Sequence, residues 1–191
     1  MEEKISIKKK NVLNAYKQAT KEQKALLENM FGKDLFKPKN IMERVKTFED
    51  ACDVLGEYHQ YVLGYREWIR IYYAYCKDVS AYLQLRIICA ALNEGWKPTF
   101  SDGECRYYPW FYIYTKEEYE KLDEDKKKEC RVVGRSVYNS YAGGGLVCAH
   151  AHYASSVSNS SHGSRLAFKT RELGEYCGKQ FIDIWSDYLF G

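Results

Sequence analysis

Proline is scarce, with three in 191 residues. Few breakers leave long helices free to form. No apolar run approaches the roughly 20 residues that a membrane-spanning helix needs. Met1-Glu2-Glu3-Lys4 leads into no apolar stretch of the kind that forms a secretory leader, so none is expected. The seven cysteines, at 52, 76, 89, 105, 130, 148 and 177, include no Cys-x-x-Cys pair and are odd in number. That pattern argues against a disulfide framework and reads as reduced thiols used as small buried apolar groups. The expected compartment is a reducing cytoplasm. The turn Ala142-Gly143-Gly144-Gly145 lacks the Lys-Ser/Thr of a P-loop and precedes no helix, so it reads as a strand-to-strand turn. Asp123, Glu124 and Asp125 lie in a lysine-rich loop, which makes them a solvated charge run and not an acid/base pair.

What is present is aromatic. There are 18 Tyr and 4 Trp, and 46% of the residues are hydrophobic. Tyrosine packs its ring and keeps a polar tip, which suits half-buried surfaces and recognition faces. The net charge of +3 is unevenly spread. Residues 1–46 carry 12 Lys/Arg against 6 Asp/Glu, a net of +6, which leaves −3 for the rest. Such a basic arm permits contact with nucleic acid or an acidic protein, and it equally describes an ordinary solvated helical surface.

The pattern is helical in the N-terminal half. Val12, Leu13 and Tyr16 fall on one side of a helix over 11–19. Thr20 with Gln23 forms a capping-box signature ahead of a helix that Gly32 stops. A short helical piece spans 41–45, and Thr47 caps another that ends at Gly56. Tyr61, Tyr65, Trp68, Ile69 and Tyr72 form a stripe at helical spacing. Asp78 can cap a helix over 79–94 that is apolar on most sides and therefore central. From Trp96 the grammar changes. Residues 106–114 form a dense aromatic strand whose Pro109 requires an edge position or a bulge. Thr115 caps a short acidic helix through Leu122. Segments 130–138, 146–153 and 163–169 read as further strands, and Thr170 caps a C-terminal helix with a wide apolar stripe. The expected fold is α+β, with a helical N-terminal half and a small antiparallel aromatic-rich sheet packed against a C-terminal helix. Residues 1–191 form one domain in this reading, comprising a basic helical arm (1–56), core helices (57–95) and the sheet with its helix (96–191).

Four strings carry a resemblance: Leu85-Arg86-Ile87-Ile88-Cys89-Ala90-Ala91-Leu92-Asn93-Glu94-Gly95-Trp96, Tyr107-Tyr108-Pro109-Trp110-Phe111, Gly163-Ser164-Arg165-Leu166-Ala167-Phe168-Lys169-Thr170 and Gly178-Lys179-Gln180-Phe181. They resemble a family of uncharacterised proteins of phages and prophages of gut bacteria. The resemblance covers most of the chain and implies a viral or mobile-element origin. The cytoplasm would then be that of the host bacterial cell, with a place in the virion also open. It brings no activity, cofactor or catalytic residue.

Two constellations bear on chemistry. Cys148, His150 and His152 stand at i, i+2 and i+4. On a regular strand they share one face, where a thiolate and two imidazoles suit zinc, with His162 or Asp102 available as a fourth ligand. The same alternation also describes a plain polar strand face. A Cys/His nucleophile pair has no local mark that would single out a cysteine. The second constellation is the aromatic strand. Period two places Tyr108, Trp110, Tyr112 and Tyr114 on one face, expected to be partly exposed, and Tyr107, Pro109, Phe111 and Ile113 on a buried face. An exposed aromatic row is a recognition surface. The Ser-rich stretch 155–161 buries little and is expected to be mobile, with Ser164 and Arg165 immediately after it. Arg165 could meet a carboxylate or phosphate of a ligand, or pair with an acid of this chain. The resulting expectation is a non-catalytic binding module whose ligand is a host protein, a small molecule or a nucleotide. Its site would consist of Arg165, Ser164, Tyr112, Trp110 and Tyr108. The alternatives are a metal-dependent enzyme using Cys148, His150 and His152, and a virion structural or assembly protein.

Overall fold

The computed structural model describes residues 6–72, 76–99, 101, 103–130, 145–155 and 166–191, by backbone alone at 129, 145–150 and 152–155. The chain divides into two compact units, 1–44 and 45–191.

The first unit is helical: α1 (Lys9–Gln18), α2 (Lys21–Phe31), a 3-10 turn (Lys33–Leu35) and α3 (Ile41–Arg44). The Thr20 capping box forms in full, and Gly32 ends α2 at φ +84°, a conformation that favours glycine. Tyr16 of α1 stacks on Phe36 with centroids 4.1 Å apart. Its hydroxyl donates to Glu28 of α2, and that carboxylate holds the phenol above its ordinary pKa.

The second unit begins earlier than the expected arm boundary at 56. Helix α4 (Phe48–Leu55) belongs to it and packs on α6 through buried Ala51. Thr47 and Asp50 close a reciprocal capping box at its N-terminus. Helix α5 (Gln60–Tyr72) lies on α6 (Lys77–Leu92). Phe48 meets Tyr65 edge-on at 4.9 Å, and Gln84 donates to the Tyr65 hydroxyl at 3.1 Å. Helix α6 is the centre of the unit and touches α4, α5, α9 (Arg171–Gln180) and α10 (Ile182–Phe190). Leu85, Ile87, Ile88 and Leu92 are fully buried, each stabilising by about 1.5–3 kcal/mol. α6 starts at Lys77, so Asp78 stands in its first turn instead of at the cap. Its carboxylate still lies favourably near the positive end of the helix dipole.

The β structure is a ribbon. β1 (Cys105–Tyr114) pairs antiparallel with β2 (Gly145–Ser155). Among the described residues no further strand joins them; of the expected strand over 163–169, residues 166–169 are described, and they contribute one bridge between Tyr107 and Phe168. The Tyr107 N–H donates to Phe168 on the edge away from β2. Pro109, two residues on, therefore directs its missing donor to that same outer edge, as a proline in a strand must. The expected strand over 130–138 falls outside the described residues beyond Cys130. α7 (Lys116–Glu120), capped by Thr115, and α8 (Glu124–Glu129), capped by Asp123, follow β1.

The C-terminal helix is two helices. Phe181 leaves the helical region at φ −113°, ψ 31° and separates α9 from α10. The break lets two apolar stripes aim differently. α9 lies on both strands of the ribbon, and α10 lies mainly along α6. Asn93, at the end of α6, fixes the segment before α9. Its Nδ2 donates to the Ala167 carbonyl at 2.8 Å, and its Oδ1 accepts from the Lys169 N–H at 3.0 Å. The chain is thus mixed α and β and mostly helical. Among the described residues, no helix is long and apolar enough to cross a membrane.

Candidate functional site

Burial along β1 is graded, not alternating. Tyr108 is 8% exposed, whereas Trp110 is 42%, Tyr112 53% and Ile113 47% exposed. Arg106 and Pro109 are buried. The expected pair of faces therefore does not exist. The first half of the strand is enclosed, with α9 on the ribbon and Phe168 bridging its outer edge, while the far half extends beyond this cover. Tyr108 is consequently a core residue and offers no open face. Trp110 and Tyr112 are the two members of the expected row that reach the surface. Ser164, Arg165 and residues 156–161 lie outside the described residues.

The metal constellation rested on unbroken alternation. Trp110 pairs with His150 while Phe111 pairs with Cys148, so Ala149 is an extra residue in β2. A one-residue bulge shifts the phase of a strand. The backbone register thus carries a bulge inside the Cys148–His152 stretch. The side chains of these three residues are not described, His162 and Asp102 lie outside the described residues, and elsewhere among the described residues no three metal-ligating side chains gather.

Among the described residues, concave surface of the second unit lies elsewhere. A hollow of about 360 Å³ opens between the end of α4, the start of α5, the last turns of α6 and the loop that follows. His59, Tyr61, Arg86, Asn93, Trp96 and Lys97 contribute to its lining. A second hollow of about 280 Å³ adjoins it and shares Gln60, Tyr61 and Arg86 as a common wall, with Trp68, Leu83 and Gly64 beyond.

Each side chain is placed by a definite local cause. Gly56 ends α4 at φ +88°, and the short turn after it delivers His59. The Tyr61 N–H donates to His59 Nδ1 at 3.2 Å. That bond places the ring proton on Nε2, which is left as a donor. Arg86 rises from α6 in the midst of Leu85, Ile87 and Ile88. Its guanidinium lies 4.2 Å from the Tyr61 ring centroid and 5.8 Å from that of Tyr82. Past α6, Glu94 at φ +49° and Gly95 at φ +87° turn the chain back, and the Trp96 N–H closes the turn onto the Asn93 carbonyl at 3.0 Å. Non-glycine residues at positive φ are costly and mark places where the turn is held by its surroundings. This turn brings Trp96 and Lys97 to the rim. Asn93 is engaged in the 167–169 clamp through both Nδ2 and Oδ1. Cys89, deeper in the wall, is fully buried. Burial and the neighbouring Cys177 thiol push its pKa well up, so it stays a neutral thiol.

The electrostatics of the hollow are one-sided. Arg86 and Lys97 carry positive charge, and no described lining residue is acidic. Arg86 Nε is buried with no acceptor. Among the described residues, no hydrogen bond or ion pair engages the Arg86 guanidinium. The aromatic rings lie against the guanidinium, and its buried Nε–H has no acceptor among the described residues. A buried donor without an acceptor is costly, on the order of 1–3 kcal/mol. An anion entering the hollow would meet that need.

Comparison with protein-family models, with curated proteins and with solved structures returned no match. Sequence reasoning passed over this hollow because it joins residues 59–61 to residues 86–97 only through the packing of α5 on α6. One signal was available: a single arginine in the apolar run of a helix whose apolar residues face all round.

Proposed function

We propose that this chain is a non-catalytic binding module of phage or mobile-element origin that holds a small anionic ligand in the hollow beneath Arg86. The observation that carries the reading is the Arg86 side chain, which lines both hollows with a buried, acceptor-less Nε and no acidic partner among the described residues. Arginine in such a place offers planar, bidentate donors that match a carboxylate or phosphate. Lys97 adds charge at the rim, and His59 adds a further polar side chain. In this reading the arrangement binds and orients an anion. A metal-dependent enzyme built on Cys148, His150 and His152 has less behind it, because the bulge at Ala149 interrupts the alternation that defined that clamp. The same proposal includes the fuller fold, in which the ribbon and its flanking segments form a small antiparallel sheet against the C-terminal helices. The basic segment 1–46 would add a salt-sensitive contact to nucleic acid or to an acidic protein.

The test compares thermal unfolding of the wild type and Arg86→Met in the presence of inorganic phosphate, pyrophosphate and citrate. A ligand that binds only the folded state raises its stability by mass action. The expected result is an anion-dependent rise for the wild type that Arg86→Met abolishes. Equal responses from the two proteins would overturn the reading.

A further inference from the structure

The two hollows differ in chemistry along one continuous wall. The first holds Lys97, His59 and Trp96, and the second is apolar and aromatic, with Trp68, Leu83 and the Tyr61 ring. Arg86 stands at their junction. Pockets for drug-sized ligands span roughly 300–1,000 Å³ and combine an apolar wall with a few placed polar groups. Taken together the hollows fall in that range.

Gly64, an exposed position of α5, is part of the lining of the second hollow. It lies inside α5, where glycine is unfavourable by roughly 0.5–1 kcal/mol relative to alanine. It has no positive φ to require glycine, and a β-carbon built there would meet nothing within 4 Å. Neither backbone conformation nor close packing accounts for the absent side chain. What the absence does is leave open space beside Trp68 and Tyr61.

We infer that the ligand is a nucleotide-like molecule, in which a phosphate sits at Arg86 and Lys97 and a flat heteroaromatic ring lies in the second hollow against Trp68, beside Gly64. This rests on the anion-binding reading above and adds the ring. Aromatic side chains take any base on its π face, and the phosphate supplies the in-plane acceptors that Arg86 lacks. A phosphate without a ring would fill one hollow, and a nucleoside would leave Arg86 unmet.

The experiment is titration calorimetry of the whole chain with AMP, ribose 5-phosphate and adenosine, using wild type, Gly64→Leu and Arg86→Met. Leucine at 64 fills the second hollow and favours the helix, so the fold is retained, which far-UV circular dichroism checks. AMP is expected to bind about tenfold more tightly than ribose 5-phosphate. Gly64→Leu should remove that advantage and leave ribose 5-phosphate unchanged, while Arg86→Met weakens both. If AMP and ribose 5-phosphate bind alike and Gly64→Leu changes neither, the ring assignment fails and the anion site stands. If adenosine binds as tightly as AMP and Arg86→Met is neutral, or if none of the three binds the wild type, both fail.

Discussion

Two regions of the second unit each set a glycine inside a helix and use it in opposite ways. At the contact of α9 with the ribbon, Gly174 lies so close that a β-carbon there would stand 2.9 Å from the Ala151 β-carbon and 3.7 Å from that of Tyr107. At the α5–α6 hollow, the corresponding position at Gly64 is open to 4 Å. In the first region the missing side chain lets two elements touch. In the second it leaves space that the protein does not fill. Both regions are rich in aromatic residues, so aromatic content does not separate them. What separates a packed seam from a site is an unfilled concavity beside a polar group that lacks a partner.

The sharpest way to break the comparison is to substitute Gly174. Alanine within a helix normally gains stability over glycine. At 174 the sign should reverse, because the ribbon backbone must move to admit the methyl group, and overpacking costs about 1–3 kcal/mol. Arg171, which donates to the Ala151 carbonyl at 3.0 Å, anchors the same seam and limits how far it can shift. Urea unfolding of Gly174→Ala measures the change. A neutral or stabilising result would mean that the seam is loose, and the contrast with Gly64 would disappear.

The capping residues show how much was legible in the sequence. Thr20 with Gln23, Thr47 with Asp50, and Thr115 each cap the helix that their spacing announces, because a cap is a contact within four residues. The central role of α6 was legible for a similar reason, since its apolar residues face all round. The break at Phe181 was not legible. Leu173, Cys177, Phe181 and Trp185 keep one helical period across it, and only the different targets of α9 and α10 require the kink. The graded burial of β1 was hidden likewise, because period two fixes faces but not how far along a strand the cover extends. The bulge at Ala149 was not legible in the Cys148–His152 spacing, because period two carries no sign of an inserted residue. The hollow at Arg86 was invisible as a site because its walls are more than 20 residues apart in sequence.

A second, smaller effect tests the wall of the hollow through α4, whose Leu55 helps to line it. The Asp50 carboxylate accepts from the Lys46 and Thr47 N–H groups at 3.0 and 2.9 Å, and these bonds hold its pKa below the ordinary value. A carboxyl whose folded pKa is depressed contributes stability above its unfolded value, about 3.9 for Asp. That contribution is lost as pH falls through the lower folded value. Asp50→Asn should therefore be less stable than wild type at neutral pH by about 1 kcal/mol. The gap should close as pH falls below the ordinary carboxylate range. Parallel denaturation curves at pH 7 and pH 3 measure it, and a gap that stays constant would show that the cap does not depend on the charge.

The smallest expected effect is the one that separates the two glycines most cleanly. Gly64→Ala adds a single methyl group where nothing lies within 4 Å. It removes backbone freedom from the unfolded chain and restores helix propensity, so it should raise stability by about 0.5–1 kcal/mol. The rise should appear as a shift in the denaturation midpoint with an unchanged slope, because neither the folded contacts nor the exposed surface alters much. The hollow would lose only a methyl-sized part of its volume. Gly64 is thus free of the packing demand that Gly174 meets. Destabilisation by Gly64→Ala would point instead to a contact that alanine disturbs, and the second hollow would then be a packing defect of α5 on α6 and not part of a binding site.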